Sequence, residues 1–218
     1  MMEVFGFDLG PIIPFILIGF AAQMVDGALG MAFGVITNTL MVGLLGVPPA
    51  LASQRVHLVE CFTTATSGIS HLLHGNIDKG LFFRLLVPGV IGGLLGTYLI
   101  TSIDGDTIKP FVLIYLAGIG VWLLIRGLLY PPRVRQARHV APLGLVGGFL
   151  DAAGGGGWGP VVTSNLLVQG AEPRKVVGTV NSVEFFLTLT ISASFIYHLG
   201  ISHIAGATLG LIIAGIAA

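Results

Sequence analysis

The chain has 218 residues, of which 54% are hydrophobic and 9% are charged, and its formal net charge is zero. Soluble domains carry about 25% charged residues, so this composition excludes a water-soluble globular protein, and a mean hydropathy of +0.95 excludes a disordered one. Without a basic surplus nucleic-acid binding is not expected, and the single cysteine, Cys61, excludes an internal disulfide and a thiolate metal cluster.

Clusters of proline, glycine and charged residues divide the chain into apolar blocks. A transmembrane helix needs about 20 apolar residues, and most of the blocks match that length. The predicted spans lie near 51–75, 82–102, 110–129, 175–198 and 203–218. Long continuous apolar runs are typical of helices, whereas transmembrane strands alternate over about ten residues. The predicted fold is therefore an all-α, polytopic transmembrane helical bundle.

Two further blocks, 11–46 and 142–170, contain the glycine-rich segments DGALGMAFG and DAAGGGGWGP. The first block is too long for a single crossing. A glycine inside a helix costs about 1 kcal/mol relative to alanine, so both segments interrupt their helices. We expect each block to form two half-helices that meet at an unwound break, as a re-entrant-like hairpin.

The two interrupted blocks also reveal an internal repeat. Matches at a spacing of 125 residues are Asp26 with Asp151, Phe33 with Trp158 and Gly34 with Gly159. Matches at a spacing of 124 residues include Pro49 with Pro173, Glu60 with Glu184 and His74 with His198. The chain is predicted to contain one transmembrane repeat at 1–129, a basic cytoplasmic linker at 130–141 and a second repeat at 142–218. The second repeat lacks a counterpart of the span at 110–129 and is expected to be C-terminally incomplete.

The positive charges predict how the repeats are oriented. The arginines at 126–138 place the linker in the cytoplasm, because cytoplasmic loops are enriched in Lys and Arg. If block 142–170 crossed once, Arg174 and Lys175 would lie outside, so we expect a hairpin that enters and returns. The two copies then sit inverted in the bilayer, which is an architecture of secondary transporters with a substrate site near the midplane.

Carboxylates occupy matched positions in the two copies, at Asp26 and Asp151 and at Glu60 and Glu184. An ionised group in hydrocarbon is costly, so each one is a candidate for a function. Asp26 and Asp151 precede the breaks and can either cap the following half-helix or couple transport to a proton or cation. Glu60 and Glu184 are the strongest candidates for proton carriers, since burial favours the protonated carboxyl, and hydrogen bonds that lock neighbouring helices are the alternative.

The glycine breaks are candidate anion sites. Unwound glycines let backbone N–H groups converge on an anion, and the next half-helix adds the positive end of its dipole. Close helix packing through small residues is the alternative. The candidate substrate-binding residues are Gly27, Gly30, Asn38, Gly154, Gly155, Gly156, Gly157, Trp158, Ser164 and Asn165, together with His57 and Asn181, which lie three residues before Glu60 and Glu184. No cofactor and no metal site are predicted.

The first copy reads DGALGMAFG and then HLVECFTTATSGISHLLHGNID, and the second reads GGFLDAAGGGGWGP and then GTVNSVEFF. This pair of motifs resembles the TauE/SafE sulfite exporter family of membrane transporters, and the resemblance spans nearly the whole chain. It implies an inner-membrane permease for sulfite or organosulfonates. It also implies that the glycine hairpins form the substrate region, surrounded by the matched carboxylates, His57 and Asn181.

The predicted function is secondary transport of small sulfur-containing anions across the plasma membrane, as export and with proton coupling as a hypothesis. An anion that leaves a cell with a negative interior gains about 2.3 kcal/mol per charge per 100 mV, so no ATP is needed. A passive anion channel and a transporter of a metal cation are the alternatives. An intramembrane enzyme built on Asp26 and Asp151 has no supporting partner motif, so the chain is not expected to be an enzyme.

Overall fold

The computed structural model describes residues 3–4, 7–8, 13–129, 138–201, 208 and 211–212. Within these residues, two short strands, β1 (Glu3–Val4) and β2 (Phe7–Asp8), pair antiparallel. All other regular elements there are helical, as predicted. They are α1 (Ile13–Leu29), α2 (Phe33–Gly43), α3 (Pro49–Leu73), α4 (Lys79–Ser102), α5 (Gly105–Leu129), α6 (Val140–Gly154), a π-helical segment (Trp158–Thr163), α7 (Ser164–Val168) and α8 (Pro173–Leu199).

The long helices coincide with the predicted spans, except that 203–218 lies almost wholly outside the described residues. Three described helices are long and apolar enough to cross a membrane: Lys79–Ser102, Gly105–Ile125 and Pro173–Leu199. Helix α3 has 25 residues, but it is more polar because its first half contains Gln54, Arg55, His57 and Glu60. The chain is a multi-pass membrane protein.

Both glycine-rich blocks form broken helices, as predicted. The first break separates α1 from α2, and the second separates α6 from the π-helical segment. Gly30 and Gly155 each have φ +67°, in the left-handed region that glycine adopts without a steric penalty. These residues therefore end α1 and α6 at matched places in the chain.

The second hairpin begins and ends at the same end of the bundle. The backbone N–H of Arg138, before α6, donates to Oε1 of Gln169, after α7, at 2.6 Å. A short connection then leads into α8, where Lys175 Nζ donates to the carbonyl oxygen of Gly75 at 2.7 Å. We call this the linker end, defined by Arg138, Gln169, Lys175 and Gly75. The hairpin predicted for block 142–170 has this geometry.

The first hairpin opens at the other end. Pro48 connects α2 to α3 and lies beside Gly105 at the start of α5, where an ideal Cβ on the glycine would be 3.7 Å from the proline Cβ. Helix α3 runs from Pro48 to the linker end at Gly75. We call the end that holds Pro48 and Gly105 the opposite end.

Helices α3 and α8 occupy matched positions in the predicted copies and pack antiparallel. Cys61 Sγ lies 3.6 Å from Ser192 Oγ, and Asn181 Nδ2 donates to Ser67 Oγ at 2.9 Å. Residues later in α3 therefore contact residues earlier in α8. The matched helices run in opposite directions.

Buried apolar side chains form one cluster beside each break. The first cluster includes Met41 of α2 and Val59 of α3. The second includes Leu85 of α4, Leu187 of α8 and Trp158. The second break is buried in this packing, whereas Gly27 and Ala28 at the first break are exposed.

Glycines bring α4 and α6 into backbone contact. An ideal Cβ on Gly92 would lie 2.0 Å from the carbonyl oxygen of Leu145, and one on Gly148 would lie 2.2 Å from that of Gly89. No side chain larger than hydrogen fits at these crossing points without a shift of the backbone. This contact fixes α6, and with it the first half of the second hairpin, against α4.

Gly92→Ala is expected to lower the free energy of unfolding by about 1–3 kcal/mol, because the added methyl overpacks a backbone contact. The measurement is denaturant or thermal unfolding in detergent micelles. Gly118→Ala in α5 is the matched control, since no atom lies within 4 Å of its ideal Cβ. An equal loss of stability in the two variants would contradict the tight α4–α6 contact.

Candidate functional site

The two hairpins touch at their breaks. An ideal Cβ on Gly34, at the start of α2, would lie 2.8 Å from Gly156 Cα in the second break. An ideal Cβ on Gly159 would lie 2.9 Å from Met31 Cβ in the first break. The 125-residue spacing matches Gly34 with Gly159 and Met31 with Gly156. In each contact a residue of one predicted copy therefore meets the counterpart of the other contact's partner, and the inversion of the copies stays a prediction.

Each break is capped by the aspartate that precedes it. Asp26 Oδ1 accepts a hydrogen bond from the backbone N–H of Phe33 at 3.1 Å. Asp151 Oδ1 accepts from the N–H groups of Gly157 at 2.8 Å and Trp158 at 3.0 Å. Phe33 and Trp158 each lie seven residues after their aspartate and begin the second half-helix. The backbone caps expected at both positions are present.

The backbone amides of the second break already have partners. The N–H groups of Gly155 and Gly156 donate to the carbonyl oxygen of Asp151, and that of Gly157 donates to its carboxylate. Buried N–H groups need an acceptor, and here the acceptor is Asp151. In the described conformation these amides are bound by groups of the protein itself, and their predicted role in anion binding stays a prediction.

Asp151 also pairs with His57, and both side chains are almost completely buried. His57 Nε2 lies 3.1 Å from Asp151 Oδ2, and His57 Nδ1 lies 2.7 Å from the backbone carbonyl oxygen of Ser53. A carbonyl oxygen can only accept, so Nδ1 is assigned the hydrogen. The Ser53 hydroxyl in turn donates to the Ala152 carbonyl oxygen at 2.7 Å, which ties α3 to α6.

Glu60 lies one helical turn after His57, next to the contact of the two breaks. It is 4% exposed, and among the described residues its Oε2 has no hydrogen-bond partner. Its Oε1 lies 2.9 Å from the ideal Cβ position of Gly34. One ligand atom each from His57, Glu60 and Asp151 lie within 4.8 Å of one another, an arrangement that can hold a metal ion.

A polar chamber of about 410 Å³ lies between the breaks and the linker end. Its lining comes from the last part of α1, from Gly30 in the first break, and from one face each of α3 and α8, where the residues are mostly three or four apart. The lining residues are Gln23, Asp26, Gly27, Ala28, Gly30, Thr63, Thr64, Ser67, His71, Val177, Asn181 and Glu184. A void of about 20 Å³ at the break contact shares Asp26, Thr63, Thr64 and Glu184 with the chamber.

The chain is similar to known proteins over most of its length. A family model described as sulfite exporter TauE/SafE matches residues 15–218. The chain belongs to the TauE/SafE family. The resemblance predicted from the paired glycine motifs is thereby confirmed. No solved structure matches the chain.

Two relatives of this TauE/SafE chain carry transporter names. A probable membrane transporter protein of Bacillus subtilis, YtnM, is 44% identical over 197 residues, which cover 87% of this chain and 65% of the relative. A probable membrane transporter protein of Haemophilus influenzae is 24% identical over 204 residues, which cover 88% of this chain and 79% of the relative. The chain thus spans less than two thirds of YtnM. These names agree with the prediction that the chain is not an enzyme.

In this TauE/SafE chain, several predicted site residues gather at the break contact or in the chamber. The void at the break contact is lined by Asp26, Glu60, Asp151, Glu184, Gly156 and Gly157. The chamber adds Gly27, Gly30 and Asn181. The predicted coupling role of the four carboxylates stays a prediction.

Other predicted residues lie away from both cavities. Trp158 is buried in the apolar core, where its Nε1 donates to the Val180 carbonyl oxygen at 3.1 Å. Ser164 and Asn165 donate to carbonyl oxygens of their own helical segment. None of these three residues lines the chamber or the void. Their predicted role in substrate binding stays a prediction.

A third group of predicted residues lies on the side of the breaks that faces the opposite end. It consists of Asn38, Gly154 and His57. Asn38 Nδ2 donates to the Gly154 carbonyl oxygen at 2.5 Å, which links α2 to the end of α6. Asn38 and His57 are fully buried. Their observed contacts hold the two hairpins together.

The sequence-based site missed most of the α3 face of the chamber. Thr63, Thr64, Ser67 and His71 continue from Glu60 at intervals of three and four residues. That spacing places them on one face of a helix, and it is the signal that could have identified them.

Proposed function

We propose that the chain forms the core of a secondary transporter that exports small sulfur-containing anions, such as sulfite or organosulfonates, across the plasma membrane. The observation that carries this proposal is the contact between two broken hairpins that open at opposite ends of the bundle. Broken helices that meet in the interior are the places where secondary transporters bind substrate. The family description supports sulfite as the cargo.

Alternating access of two inverted copies is the proposed mechanism. The antiparallel packing of α3 and α8 and the exchanged contacts of Gly34 and Gly159 support inverted copies. Movement of one hairpin against the other, around the break contact, would open the site to one end and close it to the other. The capped breaks move as units because their backbone groups are satisfied internally.

The described conformation favours access from the linker end. The chamber lies there, whereas Asn38, Ser53, Gln54 and His57 are fully buried on the other side of the breaks. Gln54 Nε2 donates to the Gly200 carbonyl oxygen at 3.1 Å and closes α3 against the end of α8. With the linker end in the cytoplasm, as the positive charges predict, this conformation would load cargo for export.

Flux into proteoliposomes tests the proposal. The purified chain is reconstituted, and uptake of sulfite, sulfoacetate, sulfate and chloride is compared under an imposed membrane potential. We expect saturable, potential-sensitive flux of sulfite or sulfoacetate, accelerated by the same anion on the opposite side. Movement of a divalent cation without any of these anions would overturn the proposal that the cargo is an anion. Fast flux without saturation or counterflow would indicate a channel.

A further inference from the structure

The centre of the bundle carries several acidic groups close together. Asp26, Glu60, Asp151 and Glu184 all line the void at the break contact. Among the described residues that line the void or the chamber, none is Lys or Arg. Like charges repel strongly in a medium of low dielectric constant, and an anionic cargo would meet the same repulsion. A cation beside the void would offset the repulsion among the acidic groups and their repulsion of an anionic cargo.

Three side chains provide ligand atoms for such a cation. One atom each from His57, Glu60 and Asp151 lie within 4.8 Å of one another. The His57 Nδ1–H donates to the Ser53 carbonyl oxygen, which leaves Nε2 directed at Asp151 Oδ2. A metal-binding histidine commonly donates its other ring N–H to a backbone carbonyl in this way.

Both carboxylates are suited to complete the site. Two backbone N–H groups hold Asp151 Oδ1, so the orientation of Oδ2 is fixed before any ion binds. Glu60 is 4% exposed, and in the described part of the chain its Oε2 has no hydrogen-bond partner. A buried carboxylate oxygen without a partner is unfavourable, and a metal ion would satisfy it.

The neighbouring void supplies room and access. Its volume of about 20 Å³ exceeds the roughly 10–15 Å³ that a single water molecule requires. Glu60 and Asp151 line it, and it shares Asp26, Thr63 and Glu184 with the chamber. An ion that enters the chamber from the linker end can therefore reach the ligand atoms.

We propose that His57, Glu60 and Asp151 bind a divalent transition-metal ion of the zinc type. One imidazole nitrogen and two carboxylate oxygens suit such an ion better than an alkali ion, which prefers oxygen ligands alone. Three protein ligands leave a coordination position for water or for an anionic cargo. The ion offsets the carboxylates and gives an anion a positive partner, and this last step rests on the proposed transport function.

Cobalt binding tests the site without any measurement of transport. Co²⁺ is titrated into the purified full chain in detergent, and its visible absorption is recorded. We expect saturable bands at one Co²⁺ per chain that Zn²⁺ displaces. His57→Gln and Glu60→Gln are each expected to weaken Co²⁺ binding by at least about tenfold. His74→Gln and Glu172→Gln, at exposed positions outside both cavities, are the controls and should bind Co²⁺ as the unmodified chain does.

Glu60→Gln retains the size of the side chain, so with a monodisperse elution profile it separates the loss of a ligand from a loss of folding. No Co²⁺ bands, unchanged binding in Glu60→Gln, or thermal stabilisation by Na⁺ but not by Zn²⁺ would each overturn the site. A chain that binds Co²⁺ through these residues but moves no anion overturns the proposed transport function and keeps the site. A chain that moves sulfite but binds no Co²⁺ overturns the metal site and keeps the proposed transport function.

Discussion

Asp151→Ala is expected to lower the free energy of unfolding by about 2–6 kcal/mol, because two buried backbone N–H groups each lose their acceptor at a cost of about 1–3 kcal/mol. The substitution leaves the N–H groups of Gly157 and Trp158 without an acceptor in the interior, and it removes the carboxylate beside His57 Nε2. Denaturant unfolding in detergent measures the change. The second hairpin should be the first region to lose its protection from hydrogen exchange.

Asp26→Ala is the matched control, because the repeat places Asp26 at the equivalent position. Asp26 is only half-buried and accepts one backbone hydrogen bond, from Phe33. Its removal is therefore expected to cost about 0.5–2 kcal/mol, as for an ordinary helix N-cap. Equal losses for the two aspartates would contradict the central role of Asp151 in the second break.

Gly156→Ala is expected to abolish anion flux and to destabilise the protein. An ideal Cβ on Gly156 would lie 2.3 Å from the backbone nitrogen of Val35, so the methyl forces the two breaks apart. Overpacking of this kind costs about 1–3 kcal/mol, in addition to about 1–3 kcal/mol for the unfavourable backbone conformation at φ +149°. Flux per folded protein in proteoliposomes and the thermal midpoint in detergent are the two measurements.

Gly46→Ala separates the backbone effect from the steric one. Gly46 also has a positive φ, +66°, but no atom lies within 4 Å of its ideal Cβ. We expect this variant to lose some stability and to keep its flux. If Gly156→Ala transports as well as Gly46→Ala, the contact between the breaks has no role in transport.

The breaks themselves could be predicted from the sequence, because consecutive glycines in an apolar block are costly in a continuous helix. The long spans could be predicted as well, since a run of about 20 apolar residues has the length of a helix that crosses the membrane. The caps at Asp26 and Asp151 follow from an acceptor placed before a half-helix. Each of these features depends on residues near one another in the chain.

Features that depend on residues far apart in the sequence could not be predicted in the same way. The sequence suggested that the amides of Gly155, Gly156 and Gly157 were available to a substrate, but the chain folds them back onto Asp151. Trp158 follows these glycines, yet the π-helical segment directs its ring into the core, toward Val180. Side-chain direction after an irregular turn is set by packing and not by spacing.

The carboxylates illustrate the same limit. Their matched positions indicated a shared location, and Glu60 and Glu184 do line one void with Asp26 and Asp151. The pairing of His57 with Asp151 joins residues that are 94 positions apart. It arises from the packing of α3 against α6, which no local pattern specifies. His57 was therefore predicted as a substrate ligand, whereas its observed partner is an aspartate.

Cross-linking the two breaks tests most directly whether transport requires them to move against each other. Met31→Cys and Gly159→Cys are combined in a Cys61→Ser background, since the ideal Cβ of residue 159 lies 2.9 Å from Met31 Cβ. A shift of about 1 Å then gives the Cβ–Cβ distance of about 3.8 Å that is typical of a disulfide. Sulfite flux in proteoliposomes is measured before oxidation, after oxidation and after reduction. Alternating access predicts that oxidation reduces the flux to background and that reduction restores it. An unchanged flux through the fully cross-linked protein would contradict the account.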